Sequence, residues 1–315
     1  MTDPLERLRA RVRGRGARIV LAETADPRVA EAARRARARE LCVPLALEDP
    51  ALAALHAAAR EGLRARLTQR GLESDEVERR LQDRLHLAAG LVAIGAADGA
   101  VLGAASTTAA TVRAALAAVG PANGVSRISS CFLLTMPDDR SFLFADCAVN
   151  ADPSPVELAD IAIATAASCR ALLAEPPRVA LLSFSTYGSA RHPRVEKVRS
   201  AVDELARRGV DFAFDGELQV DAALVAEVAE RKTGERGGTA GVAGRANVLI
   251  FPDLDAGNIG YKLVERLAGA RALGPLLQGL ARPVHDLSRG CSIEDIVDVM
   301  TVAAAASVPR EGALL

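Results

Sequence analysis

The stretch His285-Asp-Leu-Ser-Arg-Gly-Cys-Ser-Ile-Glu-Asp-Ile-Val-Asp-Val299 joins a polar loop to the start of a helix. Ser292 is a favourable N-cap, and Asp295 three residues later completes the pattern of a capping box. Apolar residues then follow at the spacing of one buried helix face. A helix N-terminus carries about +0.5 charge and free N–H groups, so Ser288 and Arg289 before it form a candidate anion site. The same residues would also suit an ordinary capped surface helix.

The composition is that of a globular protein with enough chain for two domains. The chain has 315 residues, 50% of them hydrophobic and 25% charged, and its net charge is −1. A charge so close to zero provides no basic field for nucleic acid or a membrane surface. The N-terminus has no apolar signal segment, and no run of about 18 apolar residues occurs, so we expect a cytoplasmic protein.

Cofactor and metal motifs are missing from the sequence. The five cysteines form no C-x-x-C pair and the four histidines do not cluster with them, so we predict neither a metal site nor a disulfide framework. Neither G-x-G-x-x-G nor a Walker A motif is present, which disfavours dinucleotide and ATP sites of those types. Cys291 at the helix start could be a nucleophile, but we interpret it as a packing residue because no base lies near it in sequence.

Short apolar segments alternate with helical segments, a pattern typical of a parallel sheet covered by helices on both faces. A Pro137-Asp-Asp turn between two apolar runs predicts one hairpin. The glycine-rich segment 234–244 is predicted to be exposed. Strands are predicted at 18–23, 42–47, 99–103, 127–134, 140–146, 178–184, 212–214 and 247–251. Helices are predicted at 4–15, 26–39, 50–94 with a break at Gly71, 104–119, 155–173, 193–207, 221–232 and 258–269.

Small polar residues follow several of the predicted strands. Ligands of open parallel sheets bind beyond the carboxyl ends of the strands, where hydroxyls, glycines and helix N-termini suit phosphate. One such loop alone is no more than an ordinary helix cap, but their recurrence favours an anion site. The loops are 106–108, 185–189, 253–258 and 288–290. Lys262, in the helix after the third loop, could hold an anion or could be solvated.

Six long motifs resemble the phosphate acetyltransferase (phosphotransacetylase) family and follow one another in that family's order. The resemblance is dense from about residue 99 to the C-terminus and thinner before about residue 95, where Leu21–Arg28 matches the family in part. The six motifs are Phe144–Asn150, Leu182–Ala190, Asp215–Ala223, Phe251–Lys262, Gly274–Leu280 and Asp286–Ile296.

The resemblance implies a fold and an activity. It implies an α/β protein of two three-layer α/β/α domains with a cleft between them, similar to isocitrate and isopropylmalate dehydrogenases. Residues 1–125 and 283–315 would form the first domain, and residues 126–282 the second, which would carry a homodimer interface. The implied reaction is reversible transfer of an acetyl group between coenzyme A and phosphate, by direct attack in a ternary complex. The implied partners are these substrates and acetyl phosphate, without a further cofactor.

The resemblance also assigns roles to residues. Asp295 resembles the family's base toward the coenzyme A thiol, and Arg289 and Ser288 resemble its transition-state stabilisers. Arg113 resembles the arginine that holds the phosphoryl group, and Arg66 is matched to a second family arginine. Guanidinium groups suit these tasks because they bind phosphate bidentately and stabilise developing negative charge. Further predicted substrate contacts are Thr107, Ser185, Thr186, Asn258 and Lys262.

Three alternative functions stay open at this point. A phosphate butyryltransferase would perform the same chemistry on a longer acyl group, and the sequence does not size the acyl pocket. A non-catalytic regulatory protein could bind acetyl-coenzyme A, although retention of Ser288, Arg289, Asp295 and Arg113 argues against it. A metal-dependent hydroxy-acid dehydrogenase of related fold is disfavoured by the missing site motifs. Within the main hypothesis, an acyl-enzyme on Cys291 competes with direct transfer.

Overall fold

A computed structural model describes residues 3–233 and 241–307, so most of the glycine-rich segment 234–244 lies outside the described residues. The chain divides into two compact units. Val125–Leu273 form one unit, the inserted domain. The described residues up to Gly124 and from Gly274 onward form the other, the split domain. The predicted α/β class with two domains is confirmed by the two sheets and their helices.

Ten strands and thirteen helices are defined in the described ranges. The strands are β1 (Arg18–Leu21), β2 (Val43–Ala46), β3 (Gly99–Leu102), β4 (Ser129–Thr135), β5 (Ser141–Ala145), β6 (Arg178–Leu182), β7 (Ala213–Leu218), β8 (Val248–Ile250), β9 (Arg271–Gln278) and β10 (Val284–Asp286). The helices are α1 (Pro4–Val12), α2 (Pro27–Ala38), α3 (Pro50–Ala53), α4 (His56–Gln69), α5 (Ser74–Gln82), α6 (Arg84–Ala93), α7 (Thr108–Ala118), α8 (Pro155–Leu172), α9 (Pro193–Arg208), α10 (Val220–Leu224), α11 (Ala226–Thr233), α12 (Leu254–Leu267) and α13 (Ile293–Ser307).

The split domain contains a four-stranded parallel sheet in the order β10-β3-β1-β2. Its central strands β1 and β3 are short and mainly apolar, as expected for a sheet buried on both faces, and Ile19 and Leu102 are fully buried. One group of helices, α1, α2 and α13, packs together, and α13 also contacts β1 and β3. A second group, α4, α6 and α7, also packs together, and α6 and α7 contact the same sheet.

The inserted domain contains a six-stranded mixed sheet in the order β7-β6-β8-β5-β4-β9. The predicted hairpin is confirmed, because β4 and β5 pair antiparallel on either side of the 137–139 turn. The remaining pairs are parallel where their register is defined: β5 pairs with β8, β8 with β6, and β6 with β7. Helix α8 begins at a capping box formed by Ser154 and Glu157 and packs against α9.

The chain returns from the inserted domain to the split domain between Leu273 and Gly274. The expected position of this boundary was between residues 282 and 283. The boundary lies earlier because residues 279–281 bind the end of the first split-domain segment. Ala122 N–H donates to the Gly279 carbonyl at 2.8 Å, and Ala281 N–H donates to the Gly120 carbonyl at 3.0 Å. The sequence pattern predicted neither β9 nor β10. Gly274-Pro275 within β9 resembles a turn, and β10 has only three residues.

The predicted long helix 50–94 consists of four helices, α3 to α6. The break at Gly71 was predicted, whereas those at Leu55 and Asp83 were not. Asp83 is the N-cap of α6, and its side chain accepts a hydrogen bond from His86 N–H. None of the helices in the described ranges is long and apolar enough to cross a membrane.

Candidate functional site

The polar loops of the split domain lie at one edge of its sheet. The strands β10, β3 and β1 are parallel neighbours, so their carboxyl ends lie side by side. Glu23 follows β1, Thr107 follows β3, and Ser288 and Arg289 follow β10. The topology therefore brings three loops from distant parts of the sequence to the edge where parallel sheets bind ligands.

The loop between β10 and α13 presents groups with free hydrogen-bonding capacity. Ser288 and Arg289 are exposed. Among the residues that the structure describes, the Ser288 hydroxyl has a single partner, the Gly290 N–H at 3.3 Å. The Arg289 guanidinium makes no hydrogen bond or ion pair with any residue that the structure describes. Both predicted stabilisers are thus available to an anionic ligand.

Asp295 forms the predicted capping box with Ser292. Its Oδ2 accepts hydrogen bonds from the Ser292 N–H at 2.9 Å and the Ser292 hydroxyl at 2.8 Å. In return, Asp295 N–H donates to Ser292 Oγ at 3.2 Å. Oδ1 accepts no bond from any described residue. One carboxylate oxygen therefore fixes the helix start while the other is open to a proton donor.

Cys291 sits between these two groups but does not have the surroundings of a nucleophile. It is buried, and burial raises the pKa of its thiol, although the nearby Arg28 guanidinium opposes that rise. A raised pKa leaves little thiolate at neutral pH. The structure therefore supports the interpretation of Cys291 as a packing residue.

The loop between β3 and α7 brings Thr107 and Arg113 to the same sheet edge. Thr107 is the exposed N-cap of α7, and its hydroxyl accepts a 3.3 Å bond from Ala110 N–H. Arg113 is exposed in the second turn of α7 and has no partner among the described residues. Its guanidinium is thus free, as a phosphate-binding role would require.

Arg66 does not lie at this edge. Its Nη2 donates a 3.0 Å bond to the Val119 carbonyl at the C-terminal end of α7. The 11 residues of α7 span about 16 Å, so Arg66 is at the opposite end of the helix from Thr107. Arg66 satisfies a carbonyl that the helix end leaves unpaired, so the structure places it apart from Thr107, and its role as a substrate contact stays a prediction.

Two titratable residues of β10 were present in the opening stretch but received no role from the sequence. His285 and Asp286 are both buried. Burial lowers the pKa of His285 to about 4. Burial also raises the pKa of Asp286 to about 6, against the effect of the Thr108 and Thr111 hydroxyls on α7. Two polar residues in adjoining positions of an otherwise apolar strand were the signal that could have identified them.

In the inserted domain, the hydroxyls of Ser185 and Thr186 are used within the protein. Both residues are buried. Ser185 Oγ donates to Glu217 Oε1 at 2.8 Å and accepts from Ala190 N–H at 3.1 Å. Thr186 Oγ1 accepts from Gln219 N–H at 3.0 Å. These contacts fix the loop after β6, so the structure corrects the prediction that the two hydroxyls face substrate.

A pocket of about 590 Å³ lies beside this loop and was missed by the sequence analysis. Its cationic lining residues are Arg191 and Arg199, and Tyr187, Gly188 and Glu196 also contribute. Arg199 has acidic neighbours, with Glu196 at 3.5 Å and the buried Glu217 at 3.9 Å. The single arginines are spread among loop and helix residues, so no sequence motif indicated them.

Asn258 and Lys262 lie one turn apart on α12. The Asn258 amide donates a 3.0 Å bond to the Cys147 carbonyl, and its oxygen accepts from Lys262 Nζ at 2.9 Å. Asn258 is therefore occupied on both sides. Lys262 is exposed, and an ammonium group with three N–H donors retains capacity for an anion. Within the described ranges, no group of three or more His, Cys, Asp or Glu side chains is arranged to hold a metal ion.

Comparison with known proteins matches the chain over nearly its whole length. The family model described as phosphate acetyl/butaryl transferase matches residues 4–304. A phosphate acetyltransferase of Paracoccus denitrificans is 43% identical over 316 residues, covering 96% of this chain and 98% of that protein. A solved phosphotransacetylase from Streptococcus pyogenes is 38% identical with a TM-score of 0.86, covering 96% of this chain and 98% of that one. A branched-chain phosphotransacylase from Enterococcus faecalis V583 has the same fold, with 19% identity, a TM-score of 0.67 and coverage of 92% and 99%.

Proposed function

This chain belongs to the phosphate acetyl/butaryl transferase family, and we propose that Ser288, Arg289 and Asp295 carry out its chemistry. The reaction is the reversible transfer of an acetyl group between coenzyme A and phosphate, as the sequence predicted. The observation that supports the proposed site is the unused hydrogen-bonding capacity of the loop after β10 and the first turn of α13. Within eight residues of chain lie an exposed hydroxyl and, as far as residues 3–233 and 241–307 show, an unpartnered guanidinium and an open carboxylate oxygen.

The proposed mechanism is a direct transfer. Asp295 Oδ1 accepts the proton of the coenzyme A thiol, and the thiolate attacks the carbonyl carbon of acetyl phosphate. A C–S bond forms, the C–O bond to phosphate breaks, and the phosphate leaves with the electron pair. Arg289 and Ser288 stabilise the oxyanion of the tetrahedral state, and Arg113 holds the phosphoryl group. The reaction as written needs no cofactor beyond its substrates, because acetyl phosphate is already activated.

Two substitutions test the base against the acyl-enzyme alternative. Asp295→Asn preserves shape and capping but cannot accept a proton, so we expect turnover to fall by roughly 10²–10⁴ with an unchanged melting temperature. Cys291→Ala should retain most activity because the thiol only packs. An inactive but folded Cys291→Ala protein, together with labelled acetyl that stays on the wild-type chain after coenzyme A is removed, would show that transfer is not direct.

The acyl group is tested by comparing substrates. Acyl phosphate formation should be measured with acetyl-, propionyl- and butyryl-coenzyme A in the presence of phosphate. We expect the highest kcat/KM with the acetyl substrate. A butyryl substrate that equals or exceeds it would make the chain a butyryltransferase. No turnover with any of them, despite binding of acetyl-coenzyme A, would favour the regulatory alternative.

Helix α12 supports a homodimer formed through the inserted domain. Ile259, Leu263 and Leu267 recur every four residues and are 56%, 52% and 81% exposed, whereas only Gly257 of this helix is buried. A two-fold antiparallel contact between two copies of α12 would cover this face. It would also bring the acidic first turn of one helix, with Asp255, toward the basic last turn of the other, with Arg266.

Sedimentation tests the dimer. The wild-type chain should sediment as a dimer at micromolar concentration, and Leu263→Glu should shift it toward the 32.9 kDa monomer. Val156→Glu is a matched control, since Val156 is 49% exposed at the start of α8, outside the proposed interface. A wild-type chain that sediments as a monomer at this concentration would contradict the proposed homodimer. The predicted cytoplasmic location is likewise a proposal that fractionation can check.

A further inference from the structure

Glu23 is bound by four donors from a single loop. Its Oε2 accepts hydrogen bonds from Gly103 N–H and Ala104 N–H, both at 2.7 Å. Its Oε1 accepts from Ala105 N–H at 3.2 Å and from the Ser106 hydroxyl at 2.6 Å. Three consecutive N–H groups and a hydroxyl directed at one point form an anion-binding nest. In this protein the anion in the nest is the protein's own carboxylate.

Because the Glu23 carboxylate occupies this nest, the loop after β3 has a different role from the predicted phosphate contact. The loop pattern and the start of α7 suggested a phosphate contact at this place. Because Glu23 already occupies the donors, a substrate phosphate has to bind to other groups, such as the free Arg113 guanidinium. The contribution of the loop is then its shape, since it fixes the direction in which α7 begins and thus where Arg113 lies.

The loop is also held from its other side. Gly103 has φ +100°, and a Cβ at this position would lie 2.3 Å from Asp286 Oδ1. The backbone of the loop therefore passes between two carboxyl groups, those of Glu23 and Asp286. Glycine is required there for both its conformation and its size.

A second residue of the same segment connects this loop to the Ser288 loop. Arg28 donates to the Ala104 carbonyl at 2.9 Å, to the Arg289 carbonyl at 2.8 Å and to the Cys291 carbonyl at 3.0 Å. Asp26 holds the guanidinium in place at 2.7 Å. The segment after β1 thus binds the backbones of both loops that carry the proposed site.

We propose that Glu23 is a positioning residue that holds the loop before α7, and with it Arg113, in place for the phosphoryl end of the substrate. This role rests on the proposed function of the Ser288–Asp295 site. It predicts that removing the carboxylate leaves an empty nest, which a small free carboxylate such as formate can enter.

The test is chemical rescue of Glu23→Ala. Kinetic constants for phosphate and for acetyl-coenzyme A are measured with increasing sodium formate, at ionic strength matched by sodium chloride. We expect kcat/KM for acetyl phosphate formation to fall roughly 10²-fold, as for other small misplacements of reacting groups, with formate restoring most of it. Glu48→Ala is the matched control. Glu48 also follows a strand, but its partners are side chains, Arg84 at 2.6 Å and Thr24 at 3.3 Å, so formate should have no effect.

Amide hydrogen exchange separates this inference from the proposed function. Exchange at Gly103–Ala105 should be faster in Glu23→Ala and should slow again with formate, whatever the activity. Full activity in Glu23→Ala, or a loss that formate does not reverse in a folded protein, would overturn the positioning role. If Glu23→Ala does not fold, Glu23→Gln decides: a folded Gln variant with less than about threefold loss would also overturn it. A wild-type protein inactive in the acyl phosphate assay would instead refute the proposed function.

Discussion

Two loops of this protein have similar sequences and opposite uses. The loop after β6 in the inserted domain and the loop after β10 in the split domain both follow a strand and both contain serine and glycine. In the first, the Ser185 hydroxyl is buried and bonded to Glu217. In the second, the Ser288 hydroxyl is exposed and the Arg289 guanidinium is unpartnered among the described residues. A polar loop beyond a strand therefore identifies an edge of the sheet, whereas spare hydrogen-bonding capacity identifies groups available for chemistry.

The physical difference lies in what holds each loop. Glu217 is 2% exposed and needs donors, so the loop after β6 directs Ser185 Oγ and Gly188 N–H toward it. A buried carboxylate without such donors would be costly. The loop after β10 is held through its carbonyl groups by Arg28, so the exposed Ser288 and Arg289 side chains are not needed to hold it.

The largest expected effect is that of removing the free guanidinium. Arg289→Ala should lower kcat by roughly 10²–10³, the usual effect of losing one oxyanion donor, with little change in melting temperature because the side chain is exposed. Arg289→Lys should recover part of the rate, since it keeps the charge but not the bidentate geometry. A folded Arg289→Ala protein with a normal kcat would show that the Arg289 guanidinium has no part in the proposed site.

A second prediction concerns pH, through the buried pair in β10. His285 has a folded pKa of about 4, below its ordinary value, so its contribution to stability is present above about pH 6.5 and is lost as pH falls toward 4. Asp286 has a folded pKa of about 6, above its ordinary value, so its contribution is present below about pH 4 and is lost as pH rises through 6. The two effects oppose each other in the same range, and each is on the order of 3 kcal/mol.

Single variants should reveal the two opposing effects. Between pH 4 and pH 7, the free energy of unfolding of His285→Gln should increase less than that of wild type. Over the same range, the free energy of unfolding of Asp286→Asn should increase more than that of wild type. Urea unfolding at several pH values measures both. Variants whose pH dependence is identical to wild type would show that neither group has its stated pKa in the folded protein.

The sequence predicted local features of the site well and long-range ones poorly. The Ser292–Asp295 capping box forms as predicted, because it depends on residues three apart. The position of Arg66 was not predictable from the sequence, because its bond to the Val119 carbonyl depends on how α4 packs against α7. Glu23 received no role because its partners lie 80 residues or more away in the chain. They meet only because β1 and β3 are neighbours in the sheet.

The smallest expected effect is that of removing the Ser185 hydroxyl, which lies in the loop after β6. Ser185→Ala removes a donor to the buried Glu217 and an acceptor for Ala190 N–H, so we expect the free energy of unfolding to fall by about 1–3 kcal/mol. The KM values should not change, because this hydroxyl faces the domain interior. Ser288→Ala is the matched control, with stability within about 0.5 kcal/mol of wild type but a lower kcat. Urea unfolding measures the stability of both variants, and steady-state kinetics measures their kcat and KM. If Ser185→Ala changed KM while leaving stability intact, the hydroxyl would face substrate after all, and the contrast between the two loops would disappear.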